Sequence, residues 1–113
     1  MAVGDRNETR FFGPSTLGAS SAGLGTTAVP SGQTWIIKQM TICNTSGTDR
    51  LVYMGVGTTE TPANRFFSAL PIAAFDTIIW DTGLVLTAGE RIWGYSDSGS
   101  AVSVMALGWV KEV

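Results

Sequence analysis

The chain contains no histidine. That absence removes Ser–His–Asp and Cys–His nucleophilic catalysis, the usual zinc sites, and the general base that most enzymes use near neutral pH. Cysteine occurs once, at Cys43, so no internal disulfide can form. Cys43 lies in an apolar strand candidate and reads as a small buried hydrophobe rather than a reactive thiol. Charge is scarce as well: 7 basic and 9 acidic residues among 113, with a net charge of −2. The basic residues Arg6, Arg10, Lys38, Arg50, Arg65, Arg91 and Lys111 are scattered, without the cluster that a nucleic-acid binder needs to displace counterions. No apolar run is long enough to span a bilayer, and Met1 to Arg6 lack the apolar stretch of a signal peptide. The expectation is a protein made in a cytoplasm that binds neither nucleic acid nor membrane.

The carboxylates that remain are ill placed for chemistry. A glycosidase needs two of them facing each other across a cleft about 5–10 Å wide. Asp76 and Asp81 flank one apolar strand candidate at an even and an odd position, so they point to opposite faces. Calcium needs several oxygen ligands within one loop. Asp97-Ser98-Gly99-Ser100 and Asn44-Thr45-Ser46-Gly47-Thr48-Asp49 each contain one carboxylate, and the second reads as a hairpin turn. The glycines form no strand–loop–helix phosphate cradle. No catalytic residue, metal ligand or cofactor site is expected, and the chain does not read as an enzyme.

What the chain does have is strand material. Hydrophobic residues make up 44 % of it, and 14 glycines cut it into short pieces rich in β-branched and aromatic residues. No helical apolar period appears. The clearest strand is Trp35 to Asn44; others are read at Gly25 to Val29, Arg50 to Val56, Arg65 to Leu70, Phe75 to Asp81, Gly83 to Leu86, Arg91 to Ser96 and Val102 to Val110. Regular spacing with turn chemistry between strands points to an all-β sandwich or barrel. The segment Val29-Pro30-Ser31-Gly32-Gln33 echoes Leu86-Thr87-Ala88-Gly89-Glu90, each with a glycine where a turn demands positive φ. Two such turn-to-strand units fit a jelly roll of two Greek keys with about eight short antiparallel strands. Residues 1–24, polar and small, read as a flexible N-terminal arm before a sandwich domain of residues 25–113; Thr9 to Phe12 could form a short edge strand within the arm.

Alternation along the strands puts Val52, Met54 and Val56, and Val102, Val104 and Ala106, on core faces. The opposite faces carry Leu51, Tyr53, Trp93, Tyr95, Met105, Leu107 and Trp109, where a solvated face would be polar. Something is therefore expected to pack outside the sheets: a neighbouring subunit or, where the faces are reversed, the other sheet. Neighbours in a strand face opposite ways, so Phe11-Phe12 and Phe66-Phe67 should each leave one ring outside the core. Candidate interface residues are Arg10, Phe11, Phe12, Tyr53, Phe66, Phe67, Trp93, Tyr95 and Trp109. Exposed aromatics could instead stack on sugars, which keeps a carbohydrate-binding module open.

The run Thr27-Ala28-Val29-Pro30-Ser31-Gly32-Gln33-Thr34-Trp35-Ile36-Ile37-Lys38-Gln39-Met40-Thr41-Ile42-Cys43-Asn44-Thr45-Ser46-Gly47 resembles short virion proteins of tailed bacteriophages. Asp81 to Ile92 and the ending Lys111-Glu112-Val113 are similar to that group too, so the resemblance covers about residues 25 to 110. It implies a jelly-roll-like β-sandwich used as a building block of the particle. The expected function is structural, as a capsid decoration (cement) protein on the outer surface of the head. Its partners would be copies of itself, as a homotrimer, and the major capsid protein. A head fibre or a small tail or baseplate component, touching tail proteins or a host surface glycan, is the alternative.

Overall fold

The structure, a computed structural model, describes residues 6–25, 28–59 and 61–112. Short runs of β-branched and aromatic residues between turns become eight strands: β1 (Arg6–Thr16), β2 (Ala22–Gly23), β3 (Gln33–Asn44), β4 (Arg50–Gly57), β5 (Arg65–Ile72), β6 (Thr77–Leu86), β7 (Arg91–Ser96) and β8 (Val102–Glu112). A 3₁₀ turn, Pro62–Asn64, precedes β5. The pairing follows one rule. β1 pairs with β8, β2 with β7, β3 with β6 and β4 with β5, all antiparallel. This is one long hairpin rolled up, so that successive pairs fall alternately into two sheets. The contacts β3·β8 and β4·β7 complete the orders β1-β8-β3-β6 and β2-β7-β4-β5. The protein is all-β, a two-sheet sandwich with jelly-roll strand order.

The core lies between the sheets. Val52 and Met54 meet Met40, Ile42, Val102, Val104 and Ala106 there, all fully buried as the alternation anticipates. Val56 packs at its margin. Leu17, Val29, Ile72 and Leu86 cap it from strand ends and turns. The echoed turns prove to be partners: Gly32 and Gly89 take φ of 84° and 87°. Val29 N donates to the Glu90 carbonyl at 2.9 Å, and Gly89 N donates to the Val29 carbonyl at 2.8 Å.

Several expectations need correction. Residues 6–16 and 22–23 of the expected arm are built into the two sheets, as β1 and β2. The polar start of β1 offers no apolar alternation, but its backbone pairs with β8 in a regular register, from Arg6 opposite Lys111 to Arg10 opposite Leu107. Residues 1–5 of that arm lie outside the described residues, as do Thr26 and Thr27 of the strand read at Gly25 to Val29. The segments Phe75 to Asp81 and Gly83 to Leu86 form one strand, β6, from Thr77. Cys43 is half-buried, in the row whose partners are Thr77 and Ser103.

The simple alternation rule fails at β-bulges, where an extra residue resets the faces, and those of Phe11, Lys38 and Phe66 matter most for the candidate residues. Phe11 is extra between Arg10 (opposite Leu107) and Phe12 (opposite Ala106). Lys38 is extra between Ile37 and Gln39, which face Gly108 and Leu107. Phe66 is extra between Arg65 (opposite Gly55) and Phe67 (opposite Met54). Both members of each phenylalanine pair therefore reach the core: Phe12 is buried, and Phe11, Phe66 and Phe67 pack against it. Phe11 stacks on Trp35 at 4.8 Å, and Phe66 and Phe67 flank Trp80 at 5.2 and 4.8 Å. The expectation of one outward ring per pair is wrong for that reason.

Candidate interaction surfaces

Three surfaces remain once the core is accounted for. The first is the outward face of the β2-β7-β4-β5 sheet. Tyr53 on β4 stands opposite Tyr95 on β7, and their rings stack at 4.6 Å. The Arg65 guanidinium lies over both, at 5.3 and 5.4 Å, and donates from Nη2 to the Tyr95 hydroxyl at 3.3 Å. One step along β7, Arg91 lies over Trp93 at 5.6 Å and donates to the Gly25 carbonyl at 2.7 Å. Trp93 Nε1 donates to the Gly57 carbonyl. The Arg91 guanidinium passes close over Gly23, where a Cβ would come within 2.6 Å of it and displace it. These aromatics are half-buried and covered by cations, an arrangement that offsets part of the cost of outward rings.

The second surface is on the outward face of the other sheet. Glu8, Thr9, Arg10, Lys38, Leu107, Gly108 and Trp109 line an open groove of about 450 Å³. Its floor is apolar, from Leu107 and Trp109; its rim carries two cations against one carboxylate. Lys38, the bulge residue, stands over the Trp109 ring at 5.4 Å. Further along this sheet β6 leaves Ile79 and Val85 63 % and 51 % exposed.

The third surface is the loop end, where β3 meets β4, β5 meets β6 and β7 meets β8. Asn44 organises it. Fully buried, it donates from Nδ2 toward the carbonyls of Thr48, Ile72 and Ala73, and its Oδ1 accepts from Ser46 N and Oγ. Asp49 Oδ1 accepts from Ala74 N, and Asp76 Oδ1 from Thr77 N. The oxygens of this turn are spent on tying loops together. Among the described residues, no three His, Cys, Asp or Glu side chains gather as metal ligands. At the tip sits Phe75, 74 % exposed, over Gly47; Asp76 follows it in the chain, and Ala74, which precedes it, donates its N–H to Asp49. Its φ of 59° is left-handed, a conformation that costs a non-glycine residue about 1 kcal/mol.

The sequence-derived candidates thus divide. Tyr53, Trp93 and Tyr95 share the first surface and Arg10 and Trp109 the second, while Phe12 is in the core and Phe11, Phe66 and Phe67, half-buried, pack against it. Missed were the covering cations Lys38 and Arg65, whose ring partners are distant in sequence, Arg91, whose ring partner Trp93 is two residues on, and Phe75, which reads as the start of a strand. The only signal for Phe75 was an aromatic placed between two alanines and an aspartate, in turn-like company.

No family model matches the chain, and no curated protein matches it. Similar solved structures include the nucleoplasmin-like N-terminal domain of Drosophila FKBP39, at TM-score 0.41 and 16 % identity, covering 100 % of this chain and 94 % of that one. A pentameric capsid protein isolated from metagenomic phage sequences is similar at TM-score 0.38 and 13 % identity, covering 95 % of this chain and 62 % of that one. A second structure of such a pentameric capsid protein, solved by iodide phasing, gives TM-score 0.36 and 13 % identity, with 95 % and 63 % covered. TM-scores and identities this low assign neither a fold family nor a role.

Proposed function

We propose that this chain is a structural protein of a tailed-bacteriophage particle, a capsid decoration protein that works by contact rather than by catalysis. The observation that carries the reading is that both sheets turn aromatic or aliphatic side chains outward: Tyr53, Trp93 and Tyr95 on one, Leu107, Trp109, Ile79 and Val85 on the other. A lone small domain normally covers such faces with charge. Here the chain has only 16 charged residues, as 7 basic plus 9 acidic, and uses three cations to cover rings. Repetition by symmetry multiplies modest contacts, so burial of about 1,000 Å² per joint would hold a shell firmly. The phage assignment rests on the likeness of residues 25 to 110 to short virion proteins.

A head-fibre or tail role uses the same surfaces and differs in copy number. Glycan stacking is less well supported, because Tyr53 and Tyr95 occupy each other's faces and a cation lies over Trp93. The deciding experiment is quantitative mass spectrometry of purified particles. A copy number comparable to that of the major capsid protein is expected; a handful of copies, or none, overturns the decoration role.

A further inference from the structure

Phe75 is the one described aromatic that is exposed; the other ten are half-buried or buried. It is also held in a left-handed backbone conformation that glycine would adopt more easily. A side chain that is unfavourable for both solvation and backbone is accounted for by something it touches. Its surroundings are acidic. Asp49, Asp76 and Asp97 all belong to this end and are exposed, while the local cation, Arg50, is half-buried.

The groove on the outward face of the β1-β8-β3-β6 sheet has the complementary character. Leu107 and Trp109 offer an apolar floor, with Lys38 at the Trp109 ring, and Arg10 and Lys38 face outward with Glu8 as the opposing carboxylate. Knob and groove cannot meet within one chain. Asp76 is bonded to Asn44, and Lys38 lies six residues back along β3, about 20 Å away in a strand.

We infer that the chain associates head to tail with copies of itself, Phe75 of one copy seating on Trp109 and Leu107 of the next, with Asp49 and Asp76 facing Lys38 and Arg10. Such a contact is heterologous: it uses two different surfaces and generates a closed ring if the rotation permits, or a filament if it does not. The carboxylate–cation pairs set orientation and make association salt-dependent. The inference rests on the structural-protein reading above and adds the partner and the surface.

Sedimentation velocity of the full chain, from micromolar to millimolar concentration and at low and high salt, tests it. Wild type is expected to self-associate, more weakly at high salt. Phe75→Gly should weaken association by about 30-fold or more, as loss of an anchoring aromatic does. Its thermal midpoint should be unchanged or higher, since glycine relieves the backbone; a lower association with a collapsed midpoint would overturn the contact role in favour of a folding role. Lys38→Glu should weaken association about tenfold, and Lys38→Glu with Asp76→Lys should restore it. A wild type that stays monomeric at millimolar concentration, or a Phe75→Gly protein that assembles like wild type, overturns the inference. Neither result touches the copy number in particles, which tests the parent reading separately.

Discussion

The Tyr53 ring lies almost parallel to that of Tyr95, 7° apart in plane and 4.6 Å between centroids, across the β4–β7 pair. This is a cross-strand pair on an outward face, and Arg65 closes over it from β5. Stacked pairs contribute about 0.5–1.5 kcal/mol beyond their area. A double-mutant cycle with Tyr53→Ala and Tyr95→Ala, followed by urea denaturation, should give a coupling in that range. The coupling should fall when Arg65→Ala is introduced. Strict additivity of the two tyrosine variants would show that the stack contributes nothing.

Asn44 is the buried polar side chain on which the loop end depends. Asn44→Ala would leave the Ile72, Ala73 and Thr48 carbonyls without this donor, and Ser46 without its acceptor. A loss of about 2–4 kcal/mol in unfolding free energy is expected. Hydrogen exchange should quicken first at the amides of Ser46, Phe75 and Asp76, whose hydrogen bonds belong to the same loops. Unchanged exchange there would separate Asn44 from the loop architecture.

The bulge at Phe66 makes a prediction that plain alternation contradicts. With both rings packed against the core around Trp80, Phe66→Ala and Phe67→Ala should each cost about 2–3 kcal/mol, below the cost at fully buried sites because both are half-exposed. Chemical denaturation of the two variants decides it. A silent variant at either position would mean that its ring faces outward after all.

Gly108 lies where β8 meets the Lys38 bulge. A Cβ at this position would collide with the Ile36 carbonyl oxygen and reach 3.0 Å from Ile37 Cα, backbone that cannot move aside cheaply. Gly108→Ala should destabilise by about 3 kcal/mol or more. The groove beside it should distort, which Trp109 fluorescence would report. Gly83, with open space around its Cβ position, is the control: Gly83→Ala should be close to neutral.

The strands of both sheets are largely legible in the chain. Arg91–Ser96 falls where β-branched and aromatic residues alternate, and Val52, Met54, Val102, Val104 and Ala106 turn inward because period-two patterning and burial agree. The echoed turns were legible for a local reason as well, since the positive φ at Gly32 and Gly89 is a property of each turn alone. The pairing of β1 with β8 was not legible. Backbone hydrogen bonding across the whole chain length holds it, and backbone carries no side-chain signature. The interface candidates fared unevenly for a related reason. Tyr53, Trp93 and Tyr95 follow the alternation and face outward, whereas Phe11 and Phe66 sit on bulges and do not. A bulge is set by the register between two strands and cannot be read from either one.

Short β-branched and aromatic runs between glycine-rich turns, with apolar residues on both strand faces, are facts of composition and period two, and they determined an all-β chain. Which rings lie outward, which cations cover them, and that Phe75 stands exposed among carboxylates were decided only when the hairpin rolled up. Those relations join residues such as Lys38 and Trp109, or Arg65 and Tyr95, that are far apart in the chain and are brought together by tertiary register alone.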